Sequence, residues 1–570
     1  MFQTISKLDK RKRLTFDLGL ILAISIFVTL PIFFIGIPGG ADMMQHIQFA
    51  KTFDDSISEG SYYPSWAADP NLGKGSVGNR IYPPLAHYTF VLFKTLTGNW
   101  FDGVCLSIIA LFFLGGTGIY FWAREFFDES ASVFGAITYI LLPYHVNQVY
   151  GATMYAEFTA GAIAPFCFLF TYKVCRKGNL TNICGLGISF AMLILSHIPL
   201  TLFCSISLFI FALFSLKGVK FIPAIFRLAI GVFVGILLSS FYWLRMVTEM
   251  KYVNHNSEEY YTGYFSYTNH FQFAKYFPFT GVPFDPSIDF GDLTLLVSTA
   301  ILVSGAIIYY IKTKETKNFQ LLNVLIFTAF AFFMSIPLSM FVWKYVPILQ
   351  KTQFPWRWMT IVEIGTAIFA AAAFTPLIKY FKTPRRYLSF LFIGFWIVSI
   401  SFIATDIMTP IITYPKDYFA PIVERWKSVR SHPSWWTVWS KPSQVKRELI
   451  DSAGLGAKVL IANRTVETEK WQPTERVFQI NEGEAGTFYV ETFYYPHWKA
   501  TVNGQDVEVS PNENGLISLP VPTEKSEVKI YFQEPHFVIT AFYTSGVAWI
   551  IILSFLIFNL WLKKPIINED

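Results

Sequence analysis

Long apolar runs, separated by short polar and often basic segments, dominate the pattern along the chain. A helix that crosses a bilayer needs about 20 mostly apolar residues. Segments near that length run over 16–38, 104–122, 131–148, 157–174, 222–244, 292–312, 319–338, 357–380, 387–408 and 537–562. The stretch 182–215 is too long for one crossing, so it predicts a tight hairpin turning at Ser196-His197-Ile198-Pro199. Twelve crossings follow. The apolar stretch 84–97 is too short to span and is expected to lie on the outer membrane surface.

A second pattern takes over late in the chain. Short runs of alternating apolar and polar residues cover 477–480, 487–492, 500–502, 507–509, 516–519 and 527–532. Turn signals at Asn503-Gly504 and Asn514-Gly515 separate them, which predicts an antiparallel β-sandwich. The expected fold is therefore a polytopic α-helical membrane protein with an outer-facing C-terminal β-sandwich. Its parts are a transmembrane region over 1–409 with outer loops 39–103 and 245–291, an extracytoplasmic block over 410–535 with the sandwich mainly in 463–535, and a last helix and tail over 536–570. The Trp- and Pro-rich stretch 411–462 is a connector without a clear period.

Charge sets the orientation. Basic residues cluster at 7–13, Lys173/Arg176/Lys177, Lys217/Lys220, Lys312/Lys314/Lys317, 379–386 and Lys563/Lys564. With twelve crossings all six groups fall on one side, which the positive-inside rule makes cytoplasmic, together with both termini. The expected location is the plasma (inner) membrane. The first apolar segment has no small-residue cleavage site, so it reads as a retained anchor.

Composition agrees with a lipid setting. The 570 residues are 53% hydrophobic and only 15% charged, against about 25% charged in soluble domains. That balance excludes a disordered chain. The formal charge of +6 belongs to the loops above and gives no reason to expect nucleic acid as a partner. Five cysteines include no CxxC pair, so neither a disulfide framework nor a zinc site is indicated.

Candidate chemistry gathers at the expected outer ends of the spans. Asp42 follows the first span in Gly39-Gly40-Ala41-Asp42, and shares a helix face with Gln45, His46 and Phe49. It reads either as a general base or metal ligand at the membrane boundary, or as a helix N-cap. Asp42 and His46 have ligand spacing but lack a third member. Downstream, Gly73, Gly75 and Gly78 with Lys74 and Arg80 have the character of a phosphate cradle or of a turn-rich loop. Tyr82 follows directly.

Glu157 sits at a span mouth, where a buried acid is costly and usually functional. His197 lies at the hairpin turn, as a structural residue or as a ligand or base. Arg245 closes one span. Gln353-Phe354-Pro355-Trp356-Arg357 opens another, and Pro355 marks the helix start. Both arginines suit a lipid-linked phosphate, or they anchor the interface together with aromatic rings. The aromatic loop 245–291 could cover a cavity.

At these residues the chain resembles a known family. Asp42 after the first span, Tyr82-Pro83-Pro84-Leu85, Ala156-Glu157, Leu195-Ser196-His197 and Gln353-Phe354-Pro355-Trp356-Arg357 recur in bacterial membrane proteins labelled 6-pyruvoyl-tetrahydropterin synthase related, and in YfhO-like proteins. The segment Tyr494-Tyr495-Pro496-His497-Trp498 resembles the YfhO-like C-terminal sandwich. The pterin label does not imply pterin chemistry, because nine scattered histidines do not form that enzyme's zinc cluster. The broader resemblance is to GT-C glycosyltransferases, which take sugars from polyprenyl-phosphate donors.

The resemblance implies transfer of a sugar from a polyprenyl-phosphate donor to a glycan, lipid or cell-envelope acceptor at the outer face. Asp42 would be the general base, with Glu157 and His197 orienting the acceptor or assisting it. Lys74, Arg80, Arg245 and Arg357 would bind phosphate, and His46, Tyr82, Gln353 and Trp356 would contact substrate. Asp42 stands alone where many relatives have paired acids, since Asp54-Asp55 follows three turns later. That leaves a divalent metal open, with Asp42 and His46 as its ligands. The rival reading is a lipid or polysaccharide transporter, or an envelope assembly factor with a glycan-binding outer domain.

Overall fold

The computed structural model describes residues 9–40, 42–261, 263–313, 319–380, 386–408, 412–440 and 459–562. Lys7, Lys314, Lys317, Lys382, Arg385, Lys563 and Lys564 of the basic runs, and residues 411 and 441–458 of the connector, lie outside the described residues.

The first helix, α1 (Lys10–Ile35), leads through β1 (Ile37–Pro38) into α2 (Met43–Ser58), α3 (Gly78–Ile81) and α4 (Leu85–Thr97). The bundle continues with α5 (Trp100–Ala123), α6 (Glu129–Ile140), α7 (Pro143–Tyr150), α8 (Tyr155–Lys177), α9 (Leu180–Ser196), α10 (Ile198–Ser215), α11 (Phe221–Leu238) and α12 (Ser240–Glu249). After a stretch of short 3-10 turns come α13 (Phe290–Thr313), α14 (Phe319–Ser335), α15 (Met340–Tyr345), α16 (Pro347–Gln350), α17 (Met359–Tyr380) and α18 (Arg386–Met408). Then β2 (Thr413–Tyr414) and α19 (Lys416–Trp426) lead to the β region, and α20 (His536–Leu562) closes the chain.

Among the described residues, eight helices are long and apolar enough to cross a membrane. A ninth results if α14 and the helical segment from Pro337 to Tyr345, bent by 88° at the break, count as one span. The remaining three expected crossings are less regular. Pro143 breaks 131–148 into α6 and α7, α9 is 17 residues long, and the described apolar core of α18 is shorter still. The expected hairpin 182–215 is the pair α9–α10, joined at His197. Segment 84–97 forms α4, which packs on α5.

Local chemistry sets several boundaries. Asn99 caps α5 through the Asp102 N–H at 2.8 Å, and Asp128 caps α6 through the Ala131 N–H at 2.9 Å. At the centre, the Ala370–Ala373 run of α17 is buried against α6 and α13, where small side chains let helices approach closely.

The β region is two facing antiparallel sheets. One is ordered β3 (Val459–Leu460), β6 (Gly486–Phe493), β10 (Leu516–Val521), β9 (Ser510–Pro511). The other is ordered β4 (Val466–Trp471), β5 (Glu475–Ile480), β11 (Ser526–Phe532), β7 (Trp498–Val502), β8 (Gln505–Val507). Alternation works as the sequence predicts: Val528 and Ile530 point into the core while Glu527 and Lys529 face out. Asn503 and Gly504, both at positive φ, make the two-residue turn that pairs Val502 with Gln505. Of the expected run 507–509, Val507 ends β8 and 508–509 form the gap before β9.

The β region sits on one end of the helical bundle. Pairing of Ile37 with Tyr414 and Pro38 with Thr413 joins the exit of α1 to the chain after α18. The Phe493 N–H donates to the Lys74 carbonyl at 2.8 Å, which docks β6 on the loop before α3.

Candidate functional site

The recess begins where α1 ends. Gly40 passes so close to α7's exit that a Cβ there would lie 2.6 Å from the Gly151 carbonyl oxygen and 2.7 Å from Thr153 Oγ1. With β1 held by β2 just before it, this contact delivers Asp42 to the start of α2. Asp42 occupies the N-cap position, but its carboxylate makes no capping hydrogen bond. The carboxylate is not used by the helix.

Asp42 keeps accessible surface, yet protein encloses it closely enough that burial raises its carboxyl above the usual carboxylate range. The Arg357 guanidinium acts in the opposite direction and is the charge it feels. Accessibility together with enclosure places the group on the wall of a recess, not on an open face. Tyr82 and Tyr260 line the same space: burial raises both phenols, and both sense Asp42 and Arg357.

Arg357 is held at three points. Its Nε donates to Glu157 Oε2 at 3.1 Å, its Nη1 donates to the Thr352 carbonyl at 2.7 Å, and its plane lies 4.6 Å from the Phe354 ring centroid. Among the described residues no partner takes Nη2. Both Glu157 oxygens are engaged, Oε1 accepting from the Tyr144 hydroxyl at 2.6 Å and Gln148 Nε2 at 3.3 Å.

Behind this pair stands a residue that the sequence reading overlooked. Glu363 of α17 is buried and accepts the backbone N–H groups of Tyr144 at 2.8 Å and His145 at 3.0 Å. It thereby caps α7 from another helix, where the free N–H groups favour an anion. Tyr144, so fixed, orients Glu157, and Glu157 orients Arg357. A lone acid inside an apolar span was the available signal.

The other candidates fall into place around this line. Gln353 is in left-handed backbone conformation (φ 67°), and its buried Nε2 has no partner among the described residues. Trp356 stacks on Phe354 with centroids 4.3 Å apart and meets His270 edge-on at 4.8 Å. His46 is buried with Nδ1 3.2 Å from His87 Nε2, and burial lowers its pKa to about 3, so it is neutral. His197 accepts the Leu200 N–H on Nδ1 at 3.3 Å and caps α10.

Two expectations need correction here. Glu157 and His197 were both expected to orient the acceptor or assist the base, but the Glu157 oxygens already accept from Tyr144, Gln148 and Arg357. His197 spends one ring nitrogen, Nδ1, on a helix cap.

The expected phosphate cradle is corrected more sharply. Arg80 is 1% exposed and uses all five N–H donors: two bonds go to Glu249, two to Glu534 and one to the Ser65 carbonyl, at 2.6–3.0 Å. None is left for a phosphate. Arg245 joins the same group, 3.3 Å from Glu534 and 4.4 Å above the Tyr63 ring. Lys74 pairs with Glu491 at 3.5 Å, and Gly75 lies against the Trp66 ring. Against the effect of burial, the His497 hydrogen bond and Arg80 hold Glu249 far below the carboxylate range. Arg80 and Arg245 likewise overcome burial to depress Glu534. Tyr495 and His497 complete the set through Glu249, at 2.7 and 3.2 Å. The cluster bonds α3, α12 and the β region together.

Metal binding finds little support in the donor set. Among the described residues no three His, Cys, Asp or Glu side chains gather closely enough to hold an ion. The expected Asp42–His46 pair gains no third ligand, and His46 spends Nδ1 on His87.

The sequence matches the model of a family described as the 6-pyruvoyl-tetrahydropterin synthase related domain, a membrane protein family, over residues 79–410. The match spans more than half of the chain. The chain belongs to this family. No curated protein matches its sequence. Its fold is similar to arabinofuranosyltransferase AftD from Mycobacteria, with 13% identity and a TM-score of 0.45 over 71% of this chain and 27% of that one. It therefore spans about a quarter of that protein's length. ArnT from Cupriavidus metallidurans, in the apo state, is similar at 13% identity and TM-score 0.41, over 72% of this chain and 76% of that one. The oligosaccharyltransferase AglB from Archaeoglobus fulgidus, solved with an inhibitory peptide and a dolichol-phosphate, matches at 12% identity and TM-score 0.38, over 73% and 56%.

Proposed function

We propose that this family member is a membrane glycosyltransferase that moves a sugar from a polyprenyl-phosphate donor to a glycan, lipid or cell-envelope acceptor. The reaction would take place at the membrane end that carries the β region, with that end outside the plasma (inner) membrane and both termini cytoplasmic. One observation carries the reading: a carboxylate with no structural task, Asp42, lies in the field of a guanidinium, Arg357, that keeps an unused donor.

The chemistry follows from those two groups. Asp42 accepts the proton of the acceptor hydroxyl as its oxygen attacks the anomeric carbon. The bond from that carbon to the phosphate oxygen breaks, and the electron pair leaves with the phosphate. Arg357 Nη2 donates to the oxygen on which charge develops, stabilising the transition state more than the bound donor. The raised pKa of Asp42 makes it a stronger base than an ordinary carboxylate. Glu157, Tyr144 and Glu363 act through Arg357 by holding its plane. Tyr82, Tyr260, Gln353 and Trp356 border the recess and would contact the sugar. Among the described residues no three His, Cys, Asp or Glu side chains gather, and each step runs through this chain's own residues.

The test uses the full chain in nanodiscs with a panel of polyprenyl-phosphate sugars and envelope glycan acceptors. Asp42→Asn is expected to lower transfer by about 10²–10⁴-fold, with donor binding kept. Full transfer by that variant would remove Asp42 as base. Tight donor binding without transfer by the native chain would favour a carrier or assembly role.

A further inference from the structure

A cleft of about 1290 Å³ lies between the C-terminal half of α2, the loop that follows it and the β4–β5 turn. It is separate from the recess at Asp42. From Asp42 to Glu59 the length of α2 is about 25 Å at the usual helical rise. Trp471, Pro473 and Phe532 of the β region form one wall, and α2 with residues 58–73 forms the other.

Its lining consists mostly of hydrogen-bond acceptors. Ser56, Ser58 and Ser61 donate their hydroxyl protons to the backbone carbonyls of Ser61, Asp54 and Tyr63, which leaves their oxygens free to accept. Asp55, Glu59, Asp69 and Glu491 add carboxylates. Three of these already face lysines: Asp55 meets Lys51, Asp69 lies 4.0 Å from Lys427, and Glu491 lies 3.5 Å from Lys74. Glu59 has no ion pair among the described residues. Two of these lysines are shared with Glu424, Lys51 at 3.5 Å and Lys427 at 3.3 Å, so the cleft has many acceptor oxygens and a net negative charge that the lysines offset only in part.

This combination selects a class of ligand. Many acceptors call for a ligand rich in donors, and carboxylate oxygens bind hydroxyl groups strongly. Aromatic walls call for an apolar face on the same ligand. Negative charge turns away a polyanion, and lysines on three of the four acids weaken the pull on a polycation. We propose that the cleft binds a glycan chain without acidic groups. As an acceptor subsite this rests on the transferase reading above, and the distance to Asp42 then makes the acceptor an oligo- or polysaccharide several sugars long.

Binding to the full chain in nanodiscs decides the matter, with chitohexaose, hexagalacturonate and hexalysine as probes. Chitohexaose is expected to bind the native chain and Asp42→Asn equally. Trp471→Ala should weaken it by about tenfold and Glu59→Gln by about threefold, each tenfold corresponding to about 1.4 kcal/mol. Glu59 is exposed at the end of α2, so that variant keeps the test valid if Trp471→Ala disturbs the β region. Hexagalacturonate or hexalysine binding more tightly than chitohexaose would overturn the proposal. So would absence of chitohexaose binding, or affinity unchanged in both variants. Chitohexaose bound in the cleft without any sugar transfer would leave the cleft assignment standing and defeat only the transferase reading.

Discussion

Two arginine–carboxylate groups stand at the same end of the bundle and behave in opposite ways. At Arg80 every donor is taken, two arginines face Glu249 and Glu534, and both acids are held ionised. At Arg357 only two of the five N–H donors are taken, and Asp42, accessible and without a hydrogen bond to its own helix, feels its charge. The first arrangement takes up every donor of Arg80 and binds parts of the fold together, with Arg245 Nε the one guanidinium nitrogen of the two arginines left buried without a partner among the described residues. The second leaves donors and acceptors open to solvent or to a ligand. A buried arginine is thus no guide to phosphate binding until its donors have been accounted for.

If the Arg80 group is a structural lock, breaking it should cost the most. Arg80→Met takes the main cation from buried Glu249 and half-buried Glu534, leaving them only His497, Tyr495 and Arg245, and should destabilise the fold by about 3–5 kcal/mol, seen as a large loss in thermal melting of the solubilised chain. An unchanged melting point would mean that the cluster is not holding the β region. Arg357→Lys keeps the charge but loses the planar fork. It should lower transfer by about 10²-fold with little change in melting, the reverse of the Arg80 variant. Melting loss without a transfer defect would erase the distinction between the two sites.

Glu363→Gln has a smaller expected effect. One carbonyl oxygen cannot accept both backbone N–H groups as the carboxylate does, and a lost buried hydrogen bond costs about 1–3 kcal/mol. The predicted signature is weaker donor binding, with the acceptor affinity unmoved. Equal loss for donor and acceptor would point to general disruption instead of a misplaced Arg357.

Acid should separate the two regions by sign. Glu249 and Glu534 have folded pKa values below the usual range, so their contribution is present at neutral pH and is lost as pH falls through those values. Asp42 has a raised folded pKa, so its ionisation costs stability as pH rises from the unfolded value through the folded one. Asp42→Asn should therefore melt slightly higher than the native chain at neutral pH, with the advantage vanishing in acid. A variant less stable at neutral pH would contradict the raised value.

Much of the architecture was legible because period alone encodes it. Apolar runs located the helices, and alternation with Asn503-Gly504 located β5, β6, β7, β10 and β11, whereas β3, β4 and β9 fall outside the alternating runs. Less was legible where one residue interrupts a run: Pro143 splits a predicted crossing in two. The Arg80 lock was hidden because its partners lie 169 and 454 residues away, so Lys74, Arg80 and the nearby glycines resembled an open cradle. Glu363 carried a visible signal, an isolated acid in an apolar helix, whereas its partners on α7 could be seen only in three dimensions.

The difference between the two arginines is tested most directly by a structure of the native chain in nanodiscs with a bound polyprenyl phosphate. The account predicts phosphate oxygens within about 3 Å of Arg357 Nη2, in the recess bordered by Asp42, with the Arg80 bonds intact. Phosphate seated on Arg80 or Lys74, remote from Asp42, would contradict it.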